Sequence, residues 1–253
     1  MIYLDSGYIG CFDMADKESG KRQLNEYVNI LKTAGHSRII APINGDTWHT
    51  YRLISWSNSE PIFPMEPQNP LWYNEVYLET GFKPLRKYSS GKFPLKNITP
   101  IASNINIHQF NKNDVSGELK RIYEISLQGF DENFLYEAIS EETFLKLYQP
   151  LLPMIDESLV LFADIQGKTA GFLFSFPAGE RLILKTIAVL PEFRGAGVGT
   201  ALVNQALITG QEKGLKVAIA ALMSANNYSQ NIVSKYGGKN FREYTLYALS
   251  SDA

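Results

Sequence analysis

Residues 194–200, Arg-Gly-Ala-Gly-Val-Gly-Thr, set one cation beside glycines at alternate positions. That pattern suits a phosphate or a pyrophosphate. Glycines let the backbone pass close to a ligand and turn successive N–H groups toward one point. An arginine beside them adds charge-assisted hydrogen bonds. The stretch lacks the Gly-Lys-Ser/Thr ending of a nucleotide P-loop, and Arg194 stands where a dinucleotide fold would begin with glycine. Taken alone, a glycine-rich turn is also an ordinary strand-to-helix connection, and Arg194 is also a surface ion-pair residue.

Such a loop needs a strand before it and a helix after it. Leu184, Ile187, Val189 and Leu190 form an apolar, partly β-branched run that predicts a buried strand, which Pro191 stops. Ala201, Leu202, Val203, Ala206 and Leu207 follow at helical spacing, so the loop feeds a helix N-terminus carrying partial positive charge. Further elements surround this unit. Residues 105–110 alternate as a strand, and Asn113-Asp114 caps a helix through Leu119, Ile122 and Leu127. Ser140 opens another helix. Strands at 160–164 and 170–176 are joined by the hairpin turn Gln166-Gly167-Lys168. After the loop and its helix come an apolar strand at 216–222, a helix at 226–236, a Gly237-Gly238 break and a strand at 243–249. The predicted order is β-α-α-β-β-β-α-β-α-β.

The segment before residue 100 reads differently. A short strand at 7–12 precedes an amphipathic helix at 21–34, with Leu24, Val28 and Leu31 on one face and Gly35 closing it. Residues 37–43, SRIIAPI, predict a strand, and Asn44-Gly45-Asp46 a turn. A Pro-, Ser- and Asn-rich loop at 56–70 leads to a helix at 71–80 that Gly81 stops. Phe82 onward is extended or loop-like to about Pro100. The division expected is a smaller domain at 1–100 and a larger one at 101–253.

Composition narrows the classes. With 24 basic against 26 acidic residues, the chain carries no electrostatic footprint for nucleic acid or an anionic membrane. The single cysteine, Cys11, excludes an internal disulfide and a cysteine-based metal cluster. His36, His49 and His108 do not cluster in sequence with carboxylates, so no metal site or triad is expected. The opening MIYLDSGYIGCFDMAD has neither a basic flank nor a long apolar run, which predicts a cytoplasmic protein without signal peptide or membrane span.

Arg-Gly-x-Gly-x-Gly after the strand and turn IAVLPEF resembles the acyl-CoA pyrophosphate loop of the GNAT superfamily of N-acetyltransferases. The element order from 101 to 250 is similar to that fold as well. Tyr77-Leu78-Glu79-Thr80-Gly81-Phe82 resembles the Tyr-x-x-x-Gly-Phe signature of the same family. No glycine-rich loop lies between Phe12 and Lys21, so the first half resembles a truncated, cofactor-free repeat. The resemblance implies an α+β, three-layer fold with a mixed central sheet, preceded by a smaller partial GNAT-like α/β domain.

It also implies site residues. Backbone groups of Ile187, Ala188 and Val189 would meet the pantetheine arm. Arg194 and the amides of Gly195, Ala196, Gly197, Val198, Gly199 and Thr200 would hold the pyrophosphate. Asn226, with Ser229 three residues on, matches the family's Asn-x-x-Ala/Ser helix start near the pantetheine; Asn226 is equally a good N-cap. The chemistry implied is direct transfer of acetyl from acetyl-CoA, as cosubstrate, to an amine of a small molecule or peptide. That needs a base for the amine and an acid for the thiolate. The family's acid is a tyrosine at the position held here by Val233, so Tyr236 is the substitute candidate, beside Tyr228, Tyr244 and Tyr247. Glu180 is the candidate base, with Glu192 as another. No metal is implied, and a monomer or homodimer is expected. Two other readings stand beside this one: a catalytically silent CoA-binding sensor or regulatory protein, and an aminoacyl transferase using charged tRNA, which the lack of basic excess disfavours.

Overall fold

A computed structural model describes residues 6–224 and 230–250. The chain forms two compact units that are interleaved in sequence. The first comprises Met1–Ser90, Leu222–Gln230 and Asn240–Ala253; the second comprises Gly91–Ala221 and Asn231–Lys239.

In the first unit the chain begins with β1 (Ser6–Tyr8) and α1 (Lys17–Thr33). The helix starts four residues before the expected Lys21 because Asp16 caps it, its carboxylate accepting from the Ser19 amide at 2.7 Å. Strands β2 (Arg38–Ala41) and β3 (Leu53–Ser57) and helix α2 (Tyr73–Glu79) follow. Strand β3 starts in a stretch with no sequence expectation, and its last two residues, Trp56 and Ser57, are strand where a loop is expected. Strand β4 (Lys83–Pro94) occupies the region read as extended or loop-like, its first eight residues in this unit. The last strand of the chain, β10 (Lys239–Ser250), returns here. It runs antiparallel to β2, with Ala248 opposite Ile40, and antiparallel to β3, with Tyr244 opposite Ile54. Strand β1 pairs parallel with the other edge of β2. Leu24, Val28, Ile39, Val76, Tyr77, Phe82 and Tyr247 are buried together, with the Tyr77 and Tyr247 rings stacked at 5.3 Å. Phe82, of the expected Gly-Phe pair, is 1% exposed and follows Gly81 at φ 89°.

An ionic cluster crosses the same unit. Arg242, 2% exposed, gives Nη1 to Glu66 at 2.5 Å and Nε to Ser57 Oγ at 3.2 Å. Its Nη2 donates to the Glu60 carbonyl, and the Tyr244 hydroxyl donates to the other Glu66 oxygen. Ser90 Oγ lies 2.8 Å from the Tyr244 hydroxyl and accepts from the Leu222 amide at 3.0 Å. Both charges are thereby paired and hydrogen-bonded, as a buried ion pair must be.

The second unit carries β5 (Asn106–Gln109), α3 (Val115–Gly129), α4 (Glu141–Tyr148), β6 (Val160–Ile165), β7 (Lys168–Ala178), β8 (Arg181–Val189), α5 (Val198–Glu212), β9 (Val217–Ser224, to Ala221 in this unit) and α6 (Gln230–Lys235). With β10 this is the expected element order, and the fold is α+β with a mixed sheet. Its strands run β9-β8-β7-β6-β5, antiparallel except for the parallel β8–β9 pair. Asp114 and Ser140 cap α3 and α4, as their positions predict. Gln166 and Gly167 both adopt positive φ, which a two-residue hairpin requires. Leu161, Leu173, Leu182, Leu184, Val198, Leu202 and Leu207 lie in one core that seats α5 on the sheet. No helix of the described residues is long and apolar enough to cross a membrane.

Candidate active site

The site is assembled where β8 ends. Ladder pairing of β8 with β9 runs from Arg181–Val217 to Leu184–Ala220 and then stops. On its other edge β8 stays paired with β7 as far as Val189 opposite Gly171. A bulge falls at the same place: Leu184 faces Ser175 and Thr186 faces Phe174, so Lys185 is the extra residue of the ladder. One extra residue bends the strand, and here the bend coincides with the point where β8 leaves β9. The Leu190 amide donates to the Ala170 carbonyl at 2.9 Å. Alternate residues of an antiparallel ladder turn their polar groups to opposite edges. Ile187 and Val189 therefore present N–H and C=O away from β7, along the edge that β9 has left. Ala188, between them, is 3% exposed and belongs to the interior.

The chain then makes a short turn at Pro191–Phe193 and enters the glycine loop. Gly195 and Gly197 both have φ 83°, a conformation costly for any residue with a side chain. Gly197 is the N-cap of α5 and offers no side-chain acceptor. The first helical bond comes from Ala201 to the Gly197 carbonyl at 3.0 Å, so the amides of Val198, Gly199 and Thr200 precede it without an intrahelical partner. Gly199 rests on the end of β8: a Cβ there would sit 3.4 Å from Ile187 Cδ1. Ala196 and Thr200 are exposed, while Val198 is buried and fixes the helix start. The result is a row of N–H groups at a positive helix end beside an open strand edge.

Arg194 is exposed at the loop's entrance. Its Nη1 pairs with Glu132, which follows α3, and its Nη2 reaches the Gly129 carbonyl at 3.5 Å. The Glu132 side chain is 76% exposed. An ion pair so solvated is weak, and a polyanion at the helix end competes for the same guanidinium. The pairing with Glu132, far away in sequence, had no signal in the motif itself.

The proposed proton-transfer residues are dispersed. Tyr236 stacks on Phe93 at 5.1 Å and 16°, with Lys235 Nζ 5.6 Å from its ring centroid. Val233, in the family tyrosine's position, is 4% exposed. Glu180 is exposed in the turn before β8, where its carbonyl accepts from the Lys216 amide at 2.8 Å. The glycine loop lies at the opposite end of this nine-residue strand. At about 3.3 Å per residue, roughly 30 Å separates the two ends, so the structure does not bring Glu180 to the loop. Glu192 is exposed in the turn just before Arg194. Tyr244 is committed to Glu66, and Tyr247 donates to Asn74 at 2.7 Å. Asn226, Tyr228 and Ser229 lie outside the described residues.

The expectation that histidines stand apart from carboxylates needs correction. His108 Nε2 is 3.2 Å from Asp164 because β5 pairs with β6, and the His108 ring stacks on Phe162. His49 Nδ1 is 2.8 Å from Asp46, whose carboxylate also takes the Trp48 and His49 amides. Cross-strand and turn contacts made both pairs, and neither reaches the glycine loop's own hydrogen bonds. Among the described residues, no group of three or more His, Cys, Asp or Glu is arranged to hold a metal ion.

Comparison with known proteins follows the same lines. The family described as "Acetyltransferase (GNAT) family" matches residues 119–237. An uncharacterized N-acetyltransferase of Archaeoglobus fulgidus is 30% identical over 119 residues, covering 44% of this chain and 78% of that protein. The crystal structure of a GCN5-related N-acetyltransferase from Sphaerobacter thermophilus superposes with TM-score 0.61 at 13% identity, over 91% of this chain and 67% of that one. A tandem GNAT protein from the clavulanic acid biosynthesis pathway gives 0.53 at 9% identity, over 95% of this chain and 72% of that one. At such identities the structural likeness is one of fold.

Proposed function

Since this chain belongs to the GNAT acetyltransferase family, we propose that it is an acyl-CoA-dependent N-acyltransferase that moves acetyl from acetyl-CoA to an amine by direct attack. The observation that carries this reading is the coincidence, at one strand end, of the Lys185 bulge, the unpaired edge of Ile187 and Val189, and the amides at the start of α5. These groups fit acetyl-CoA in kind: amide-bearing pantetheine wants strand-edge partners, and pyrophosphate wants N–H groups and a cation. Arg194 and the amides of Gly195 and of Gly197 to Thr200 would hold the pyrophosphate, the Ala196 amide already donating to the Phe193 carbonyl at 3.2 Å. Ile187 and Val189 would orient the pantetheine arm. Asn226 and Ser229 keep their proposed role there. When bound, acetyl-CoA supplies an activated thioester. The acceptor amine must be neutral to attack, so its proton leaves through a base or water, and the departing sulfur takes one. Tyr236 is the proposed donor in this unit, and Tyr236→Phe keeps its stacking on Phe93 while removing that proton. A division near residue 100 that β10 crosses on its return to the first unit, a cofactor-free first half, a cytoplasmic location and a monomer or homodimer complete the proposal.

The buried Val233 favours a second reading, in which the protein binds CoA as a regulatory module without turnover. Calorimetric titration with acetyl-CoA, followed by thiol release against small amines, amino acids and peptides, separates the two. Binding with release supports the transferase, and binding without release from any acceptor supports the regulatory module. No binding removes both.

A further inference from the structure

Arg52 is a buried cation for which the described residues of the first unit provide no paired anion. The residue is 7% exposed, and its Nε and Nη1 have no hydrogen-bond partner among the described residues. Its backbone sits at φ 71°, just ahead of β3, held by the Arg52 amide donating to the Pro42 carbonyl at 2.9 Å. A left-handed conformation is unusual for arginine and persists only where the surroundings enforce it. The guanidinium carbon lies 4.1 Å from the Tyr51 ring centroid and 4.2 Å from that of Tyr88, two rings set at 85° to each other. Aromatic faces ease a buried positive charge, but they supply no oxygen acceptor and at most a weak N–H···π contact.

The contrast with Arg242 is informative. That guanidinium, buried in the same unit, has a carboxylate, a hydroxyl and a carbonyl on its three nitrogens. Glu66 is fully used by Arg242 and Tyr244 and does not serve Arg52. Tyrosinate does not serve either: burial first, then Tyr51, pushes the Tyr88 hydroxyl up against the pull of Arg52, so Tyr88 stays neutral. Arg86, two residues before Tyr88 and therefore on the same face of β4, adds a second positive charge and donates to Ser224 Oγ at 3.1 Å. Leaving a guanidinium buried without acceptors is costly. A ligand that supplies them removes that cost.

We propose that Arg52 anchors a binding site for a small-molecule carboxylate, received in the plane of the guanidinium at the corner made by Tyr51 and Tyr88. The guanidinium Nη2 shares one fork with Nε and the other with Nη1, so a carboxylate engages two donors whichever fork it takes. A carboxylate matches the planar fork with two oxygens and a single charge. A phosphate would bring further charged oxygens into the same buried setting without donors for them. The site is independent of acyl transfer and stands or falls without it.

The test follows the Arg52 Nε–H signal by NMR in the 15N-labelled full-length protein, titrated with sodium acetate, with sodium phosphate and with sodium chloride at matched ionic strength. Arg52→Lys identifies the signal by its loss; should that variant not fold, the signal is assigned through its own backbone correlations. The expected result is a saturable downfield shift with acetate, absent with chloride and with phosphate. In a folded Arg52→Lys protein, acetate affinity measured by calorimetry falls at least about tenfold, because lysine lacks the planar fork. A response to acetate no larger than to chloride overturns the proposal. Saturation by phosphate at concentrations below those for acetate overturns the carboxylate class in favour of a general oxyanion site. Acetate binding unchanged in Arg52→Lys removes Arg52 from the site.

Discussion

Arg194→Ala separates a ligand-binding arginine from a decorative one. In the free protein its guanidinium is held by Glu132, an exposed partner, and by a long contact to the Gly129 carbonyl. Surface pairs of this kind are worth about 0–1 kcal/mol, so removing Arg194 should shift folding stability by less than that. With CoA bound, the same guanidinium would give charge-assisted hydrogen bonds to pyrophosphate, worth about 1.5–3 kcal/mol. Converted at 1.4 kcal/mol per decade, the loss is about 10- to 150-fold in Kd. Calorimetric titration with CoA reads the affinity, and urea unfolding of the apo protein reads the stability. Glu132→Gln is the internal control: it frees Arg194, and CoA should bind as before or up to about fivefold tighter, the value of the pair released. If Arg194→Ala leaves Kd within twofold of the parent while the protein stays folded, Arg194 does not touch the pyrophosphate and the site assignment is wrong.

Other perturbations test other links. Glu180→Gln should leave thiol release unchanged in both kcat and KM, since its position precedes β8 while the loop follows it; a large drop in kcat would restore Glu180 to the chemistry. Arg242→Met strands Glu66 in the interior and should destabilise by about 3–5 kcal/mol in urea unfolding, while a paired Arg242→Met and Glu66→Gln change should cost measurably less than the sum. Residues 101–253 produced alone would carry β10 without β2 and β3, its antiparallel partners, and should fail to give a cooperative unfolding transition. Asp156 is subject to burial, which raises its pKa, but hydrogen bonds from Lys213 and Ser158 outweigh it and hold the carboxyl below its ordinary value. A depressed folded pKa stabilises above the unfolded value and is lost as pH falls through the folded one. The stability gap between the parent and Asp156→Asn should therefore be present at pH 7 and shrink as the pH drops below 4.

Much of the second unit was legible because its signals are local. Caps at Asp114 and Ser140, the hairpin at Gln166-Gly167 and the strand–glycine–helix unit at Leu184–Leu207 each depend on residues near one another in sequence. The loop's backbone geometry followed from its glycines. What was not legible depends on partners far away in the chain. Strand β4 reads from sequence only as extended or loop-like because its polar residues Arg86 and Ser90 find their partners in distant groups, Ser224 and Tyr244. Glu66 and Arg242 carried no pattern that would join them across 176 positions. The same holds for His108 and Asp164, which a strand register places side by side. The Lys185 bulge is invisible for another reason: an extra residue in a ladder is defined only against the opposite strand.

The position of β10 has a consequence for how the protein is made. Ile40 of β2 pairs with Ala248, and Ile54 of β3 with Tyr244. Roughly 200 residues must be translated between the first strands and the one that completes them, which at about 5–20 residues per second leaves those edges open for roughly 10–40 s on the ribosome. Open apolar edges invite pairing with other chains. The segment made before β10 must therefore be kept from its neighbours until β10 emerges, and slowing elongation between β3 and β10 should lower soluble yield more than slowing it ahead of β1.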